Sequence, residues 1–142
     1  MIEILKMKTN ELAINDRIIF IPKQHYSELM QYTANADLGV TLDKDTNLDY
    51  WFRLAIKLFD YIHAGIPVLA SPLPEIKKII DRYKIGDFIP SHDPKMIAQK
   101  VNEIIENRAI IAYWKKNLNL AVQDLSWETE ERVLKQVYEK YV

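Results

Sequence analysis

Cysteine is absent from this chain of 142 residues, which excludes a disulfide framework and thiolate metal ligation. Glycine is scarce: three residues leave nothing from which to build a glycine-rich phosphate loop or a G-x-G-x-x-G dinucleotide fingerprint. Neither sign of charge dominates, with 19 Lys and Arg against 20 Asp and Glu. A surface that follows nucleic-acid phosphates carries a marked basic excess, so no nucleic-acid partner is expected. Long apolar runs are missing as well. None approaches the roughly 20 residues of a membrane helix, and the amino terminus lacks the apolar centre of a signal peptide. The expected location is therefore the cytoplasm. Without repeats, low-complexity tracts or a Gly/Ser linker, residues 1–142 read as one domain.

What the chain does hold is 49% hydrophobic and 27% charged residues, an ordinary globular mixture able to bury a core. Ile2, Leu5 and Leu12 predict a short helix ending near Asn15. The run Ile18-Ile19-Phe20-Ile21, closed by Pro22, has the form of a strand buried on both faces. Ser27 is the expected N-cap of a helix through Ala36, and Asp37 to Leu42 reads as a second strand. A polar loop from Asp43 to Asp49 and the aromatic triplet Tyr50-Trp51-Phe52 lead into a helix from about Arg53 to Ala64, which Gly65 should stop. Val68 to Ala70 follows as a short buried strand. Pro74-Glu75 opens a helix to about Lys84, and Asp87 to Pro90 reads as an edge strand because Pro90 cannot donate to a ladder.

Beyond that point the chain reads as helical throughout. Asp93-Pro94 pairs an N-cap with proline at the first helical position, and Ile97, Val101, Ile104 and Ile105 fall on one stripe. Further helices are expected over about 109–124 and from Ser126 to the end. Alternation of strand and helix implies an α/β fold: a Rossmann-like parallel sheet of about four strands flanked by helices, with an all-helical C-terminal segment. Such sheets bind ligands outside the carboxyl ends of their strands. The loops 22–26, 43–54, 71–75 and 91–93 are therefore the candidate binding segments.

Chemistry concentrates around the helix that starts near Arg53. Outward N–H groups at its amino end favour an anion, and Lys57 adds a cation. Asp60, three residues on, offers carboxylate oxygens to hydroxyl donors. A diphosphate beside a ribose would suit that pair.

The segment Lys57-Leu-Phe-Asp-Tyr-Ile-His-Ala-Gly-Ile-Pro-Val-Leu-Ala-Ser71 resembles the signature of the donor half of GT-B retaining glycosyltransferases, the group 1 or family 4-like set. Other patches agree in order. Asn15 to Ile21 resembles that family's "D-R-V-x-F" strand, and Glu28 to Val40 its "e-L…A-D-l-x-v" segment. Pro72-Leu-Pro-Glu75 resembles the "G-x-P-E" turn, and Leu125-Ser-Trp-Glu128 with Val137-Tyr-Glu139 the closing helix. The likeness covers roughly residues 11–142.

That resemblance implies a nucleotide sugar, UDP- or GDP-linked, as the donor. It places Lys57 at the diphosphate, Asp60 on the ribose hydroxyls, and Pro22 and Lys23 in the loop that reads the base. Arg53 could reach a phosphate and Glu75 a sugar or phosphate group; the catalytic residue stays unknown. Phe52 stands where the family's first glutamate is expected, which leaves the usual carboxylate contact to the donor sugar unassigned among Asp43, Asp45 and Asp49. No cofactor or metal is implied: Asp43-Lys44-Asp45 has D-x-D spacing in a fold that does not employ it. The resemblance also implies an N-terminal acceptor domain ahead of Met1 and an incomplete start to this one. An isolated chain of this kind is expected not to be competent in transfer, and the longer protein could sit at a membrane surface.

Plainer readings exist for each residue. Lys57 and Arg53 could be surface cations, Asp60 an i, i+3 partner of Lys57, and Glu75 a carboxylate placed by the helix dipole alone. His63 reads as packing, and His25 and His92 as polar loop residues. Tyr50-Trp51-Phe52 reads either as a stacking platform or as a plug over the sheet end. Trp114 and Trp127 are core, or a surface for a neighbour. The competing functional class is a Rossmann-like interaction module without ligand, which dimerises or docks a partner domain through exposed apolar surface. A phosphatase-like enzyme would have Asp37 or Asp43 as its nucleophile.

Overall fold

The computed structural model describes residues 1–46 and 55–140. Helix α1 (Ile2–Glu11) and a 3-10 turn (Asn15–Arg17) precede α2 (Tyr26–Ala34) and β1 (Gly39–Thr41). There follow α3 (Ile56–Ala64), β2 (Val68–Ala70), α4 (Pro74–Tyr83) and β3 (Gly86–Phe88). The chain closes with α5 (Pro94–Glu106), α6 (Arg108–Asp124) and α7 (Trp127–Glu139). Among the described residues the sheet has three parallel strands in the order β1-β2-β3, with Gly39, Val40 and Thr41 opposite Val68, Leu69 and Ala70, and these opposite Gly86, Asp87 and Phe88.

The central strand explains why the sequence reads as continuous apolar here. All of Val68, Leu69 and Ala70 are fully buried. Val68 and Ala70 face a core formed with Leu58 and Ile62 of α3, Ile76 and Ile80 of α4, and Leu118 and Ala121 of α6. Leu69 faces the opposite way, against Ile89, Ile104 and Trp114. The period of two puts successive side chains on opposite faces, and helices cover both faces, so no polar position is tolerated. Full burial of each large aliphatic side chain contributes about 1.5–3 kcal/mol.

Local chemistry sets the helix ends. Gly65 adopts φ 73°, a left-handed C-cap that only glycine reaches without strain. The Asp93 carboxylate accepts from the amides of Lys95 (2.8 Å) and Met96 (3.2 Å), with Pro94 at the first helical position. Asp93→Ala leaves both amides without that acceptor and is expected to lower stability by about 1 kcal/mol, measured by urea unfolding. Ser126 accepts from the Thr129 amide at the start of α7.

Three expected features differ. The run Ile18–Ile21 is extended at its start, with Ile18 at φ −124° and ψ 124°, but belongs to no strand. Ile19 is 85% exposed and Ile18, Phe20 and Ile21 are also exposed. Apolar composition supplies the propensity for a strand, yet a ladder needs a neighbour, and β1 pairs on β2 instead. Ser27 lies inside the first turn of α2, whose N-cap is His25. Finally, α3 begins at Ile56 rather than near Arg53, with Ala55 as N-cap and no side-chain cap.

Trp114 is buried, as one reading of it expects, whereas Trp127 is 70% exposed. Helix α7 leaves Trp127, Leu134 and Tyr138, at helical spacing along one stripe, open to solvent. Among the described residues no helix is long and apolar enough to cross a membrane.

Candidate functional site

Helix α3 is held by its apolar face: Leu58 and Ile62 are fully buried, and Ala55 packs in the same core. That leaves the opposite face outward. Lys57 is exposed in the first turn and makes no ion pair among the described residues. Asp60, half-buried, lies three residues on. Its Oδ1 accepts a hydrogen bond from Tyr26 Oη at 2.9 Å. Asp60 therefore has a partner 34 residues away, not the neighbouring lysine.

The tyrosine contact positions a loop. Tyr26 is the first residue of α2, and α2 packs alongside α3. The bond from Tyr26 to Asp60 thus ties the end of the 22–26 loop to the middle of α3. Gln24 Nε2 donates to Pro22 O at 3.2 Å, which shapes the turn. The Tyr26 pKa is raised, first because the carboxylate accepts the phenolic proton, then through desolvation and repulsion by the Asp60 charge. Next to Asp60, Tyr61 covers the outer edge of β1. Its hydroxyl donates to Val40 O at 3.1 Å, and its ring fills the space a Cβ on Gly39 would need. Burial raises the Tyr61 pKa, the leading cause, and the nearby Asp60 charge raises it further.

A second polar group lies where the strands end. The segments after β1, β2 and β3 enclose a cavity of about 320 Å³. Asp43, Asp45, Ser71 and His92 line it, the Ser71 Oγ and His92 Nε2 being 3.1 Å apart. Sequence reasoning singled out these loops but assigned neither His92 nor Ser71 a role. Their residues lie 21 positions apart, and no local spacing pairs them. The signal that could have found them is positional: Ser71 follows β2 directly, and His92 lies in the segment that follows β3.

The remaining expected residues fall elsewhere. Glu75 is half-buried and bonded by Lys78 at 2.5 Å on its own helix, and it does not line the cavity. Arg53, Phe52, Asp49 and the rest of 47–54 lie outside the described residues. His63 is exposed, with Nε2 3.2 Å from Leu125 O, joining α3 to the end of α6. His25 caps α2. Among the described residues no group of three or more His, Asp or Glu side chains is arranged to hold a metal ion.

Parallel strands flanked by helices, with ligand-side loops and an all-helical end, form a Rossmann-like domain, one half of a GT-B fold. The chain belongs to the group 1 glycosyl transferases, whose family model matches residues 3–120. In three dimensions it is similar to sucrose-phosphate synthase from Thermosynechococcus elongatus, with a TM-score of 0.77 and 21% sequence identity over 96% of this chain. At that identity the likeness concerns the fold. This chain spans 33% of the length of that synthase. A comparison with curated proteins finds no match.

Proposed function

We propose that this chain is the donor-binding half of a retaining glycosyltransferase, moving a sugar from a UDP- or GDP-linked donor to an acceptor hydroxyl. In that reaction the bond from the anomeric carbon to the diphosphate breaks and a bond to the acceptor oxygen forms. One observation carries the reading: Lys57, without an ion pair among the described residues, stands one turn ahead of Asp60, and Asp60 is tied to the 22–26 loop through Tyr26. A cation for phosphate and a carboxylate for ribose then lie within one turn, and Tyr26 links that carboxylate to the loop proposed for the base. Family membership supplies the reaction class.

Roles follow from charge and reach. Lys57 neutralises the diphosphate as it leaves, a contribution that grows as charge develops on the leaving oxygen. The Asp60 carboxylate is acceptor-only and has about four lone-pair positions, of which Tyr26 uses one. It can therefore hold ribose hydroxyls without releasing the tyrosine. Pro22 and Lys23 border the base, Arg53 is proposed at a phosphate and Glu75 at a sugar or phosphate group. No metal is needed for the leaving group in this scheme, and transfer itself requires an acceptor-binding domain, so the isolated chain binds donor without turnover.

Amide NMR with UDP, GDP and their sugars tests this. Shifts are expected at residues 22–26 and 55–60. No change at either segment with any of these ligands overturns the donor reading.

A second reading is favoured by the exposed run Ile18–Ile21 and the open stripe of α7. There the chain is a ligand-less interaction module that dimerises or docks a partner domain. Sedimentation showing a stable dimer insensitive to nucleotide would support it over donor binding.

A further inference from the structure

We infer that the Ile18–Ile21 run of one copy of this chain adds as a strand to the outer edge of β1 in a second copy, and reciprocally, so that two chains close a dimer. The inference rests on one half of the second reading, a partner for the exposed apolar surface, and not on the absence of a ligand.

The edge is open in the way a strand requires. Gly39 N donates to Pro67 O at 2.8 Å, and Thr41 O accepts from Ser71 N at 2.9 Å, so both residues turn polar groups toward β2. Val40 lies between them and points its N–H and C=O to the opposite side, as the ladder alternates. Its carbonyl accepts from Tyr61 Oη at 3.1 Å and keeps a second lone pair. Its N–H has no partner among the described residues. Such an edge is a template for a further strand.

The matching strand is present and unpaired. Ile18 is already extended, the four residues have high strand propensity, and Ile19 is 85% exposed. The run does not reach β1 of its own chain. Helix α2, which leads from the run toward β1, is held against α3 by packing and by the bond from Tyr26 to Asp60. A chain that carries one open edge and one free strand is complementary to a copy of itself. Reciprocal exchange satisfies both in a closed two-fold pair.

Area and charge favour the same occupant. Helix α1 buries only Thr9 and leaves Ile4, Met7 and Leu12 open to solvent. In residues 1–21 ten large apolar side chains are exposed; at on the order of 100 Å² each, covering most of them supplies the ~800 Å² per partner of a stable interface. The same segment balances Glu3, Glu11 and Asp16 against Lys6, Lys8 and Arg17. Two copies therefore meet without net repulsion. An anionic membrane, which selects a basic cluster, finds no counterpart there.

Sedimentation of the full chain over the micromolar range, with and without UDP and GDP, tests this. A dimer is expected that grows no larger. Ile19→Glu, at an exposed position where the fold is retained, is expected to weaken it tenfold or more. Val40→Pro removes the open N–H and spares the ladder to β2, and should act alike. Should Val40→Pro fail to fold by circular dichroism, Ile19→Glu decides alone. In a mixture of isotope-labelled and unlabelled chains, contacts between Val40 and Ile19 are expected across copies. A monomer at every concentration, a dimer indifferent to Ile19→Glu, assembly beyond two chains, or Val40 contacts within one chain alone each overturn the inference. Nucleotide shifts at 22–26 and 55–60 in the intact dimer leave it standing and sustain the donor reading. Their absence removes the donor reading and leaves the dimer.

Discussion

Alanine at position 86 is expected to be the most damaging small substitution in the sheet. A Cβ on Gly86 would lie 1.9 Å from Val68 O and within 3.0 Å of Val68 C and N. These are backbone atoms of the paired strand, so no rotamer change relieves the overlap. The strands must part, and the bonds flanking that pair, Val68 N to Ile85 O at 3.1 Å and Ile89 N to Ala70 O at 2.9 Å, are lost or stretched. Both cores hang on β2, so the disturbance reaches Ile76, Ile80 and Ile104. A loss of about 4 kcal/mol or more is expected, a large part of the 5–15 kcal/mol of an ordinary domain. Gly65→Ala provides the contrast. Its Cβ meets nothing within 4 Å, and the cost there is the φ of 73° alone, about 1 kcal/mol. Urea unfolding of the two variants, followed by circular dichroism, should separate them clearly. A Gly86→Ala loss no larger than that of Gly65→Ala would show that the sheet relaxes where the packing says it cannot.

Features dictated by a few adjacent residues were legible in the sequence. Gly65 ends α3 in the left-handed region, Asp93-Pro94 starts α5, and Ser126 caps α7, because each depends on a contact within one turn. Val68 to Ala70 was legible as buried because every position is apolar. The run Ile18–Ile21 has the same local character and a different fate. Hydrophobicity sets what a segment would gain by burial, whereas pairing depends on which strand stands beside it, and nothing in four apolar residues names that neighbour. Ser27 shows the same limit on a smaller scale: the residue type suits a cap, but the cap falls two residues earlier, at His25, and leaves Ser27 in the first turn.

The site divides in the same way. That Lys57 and Asp60 lie within one turn of a single helix was legible from their spacing. Glu75 and Lys78 could also be anticipated as a local pair, which the structure forms. Tyr26 was not legible as a partner of Asp60, since the contact arises only when α2 packs on α3. The same holds for Ser71 and His92, brought together by the parallel register of β2 and β3. Strand ends identified their loops, and tertiary packing chose the residues.

Lys57→Ala is expected to weaken UDP or GDP binding about 10- to 100-fold, measured by calorimetry at low salt. A charge-assisted contact to phosphate contributes about 1.5–3 kcal/mol, and Lys57 has no acid to release among the described residues, so nothing offsets its loss. Because the lysine is exposed, raising the salt should shrink the difference as the Debye length falls to ~3 Å at 1 M. Asp60→Asn tests the other half of the pair. The amide keeps its size and still accepts from Tyr26, yet loses charge and one acceptor oxygen. Ribose-containing ligands should weaken by about tenfold, while inorganic diphosphate, which has no ribose, should bind unchanged; the tenfold corresponds to about 1.4 kcal/mol. Tyr26→Phe leaves the carboxylate entirely to ligand, so binding should hold or improve as long as α2 keeps its packing. The tyrosine contact should persist through neutral pH, since its raised pKa means the bond is fully formed below the ordinary value of 10.0 and lost as pH rises through the raised one. Equal weakening of nucleotide and diphosphate by Asp60→Asn would mean that the carboxylate acts on α2 packing rather than on ribose.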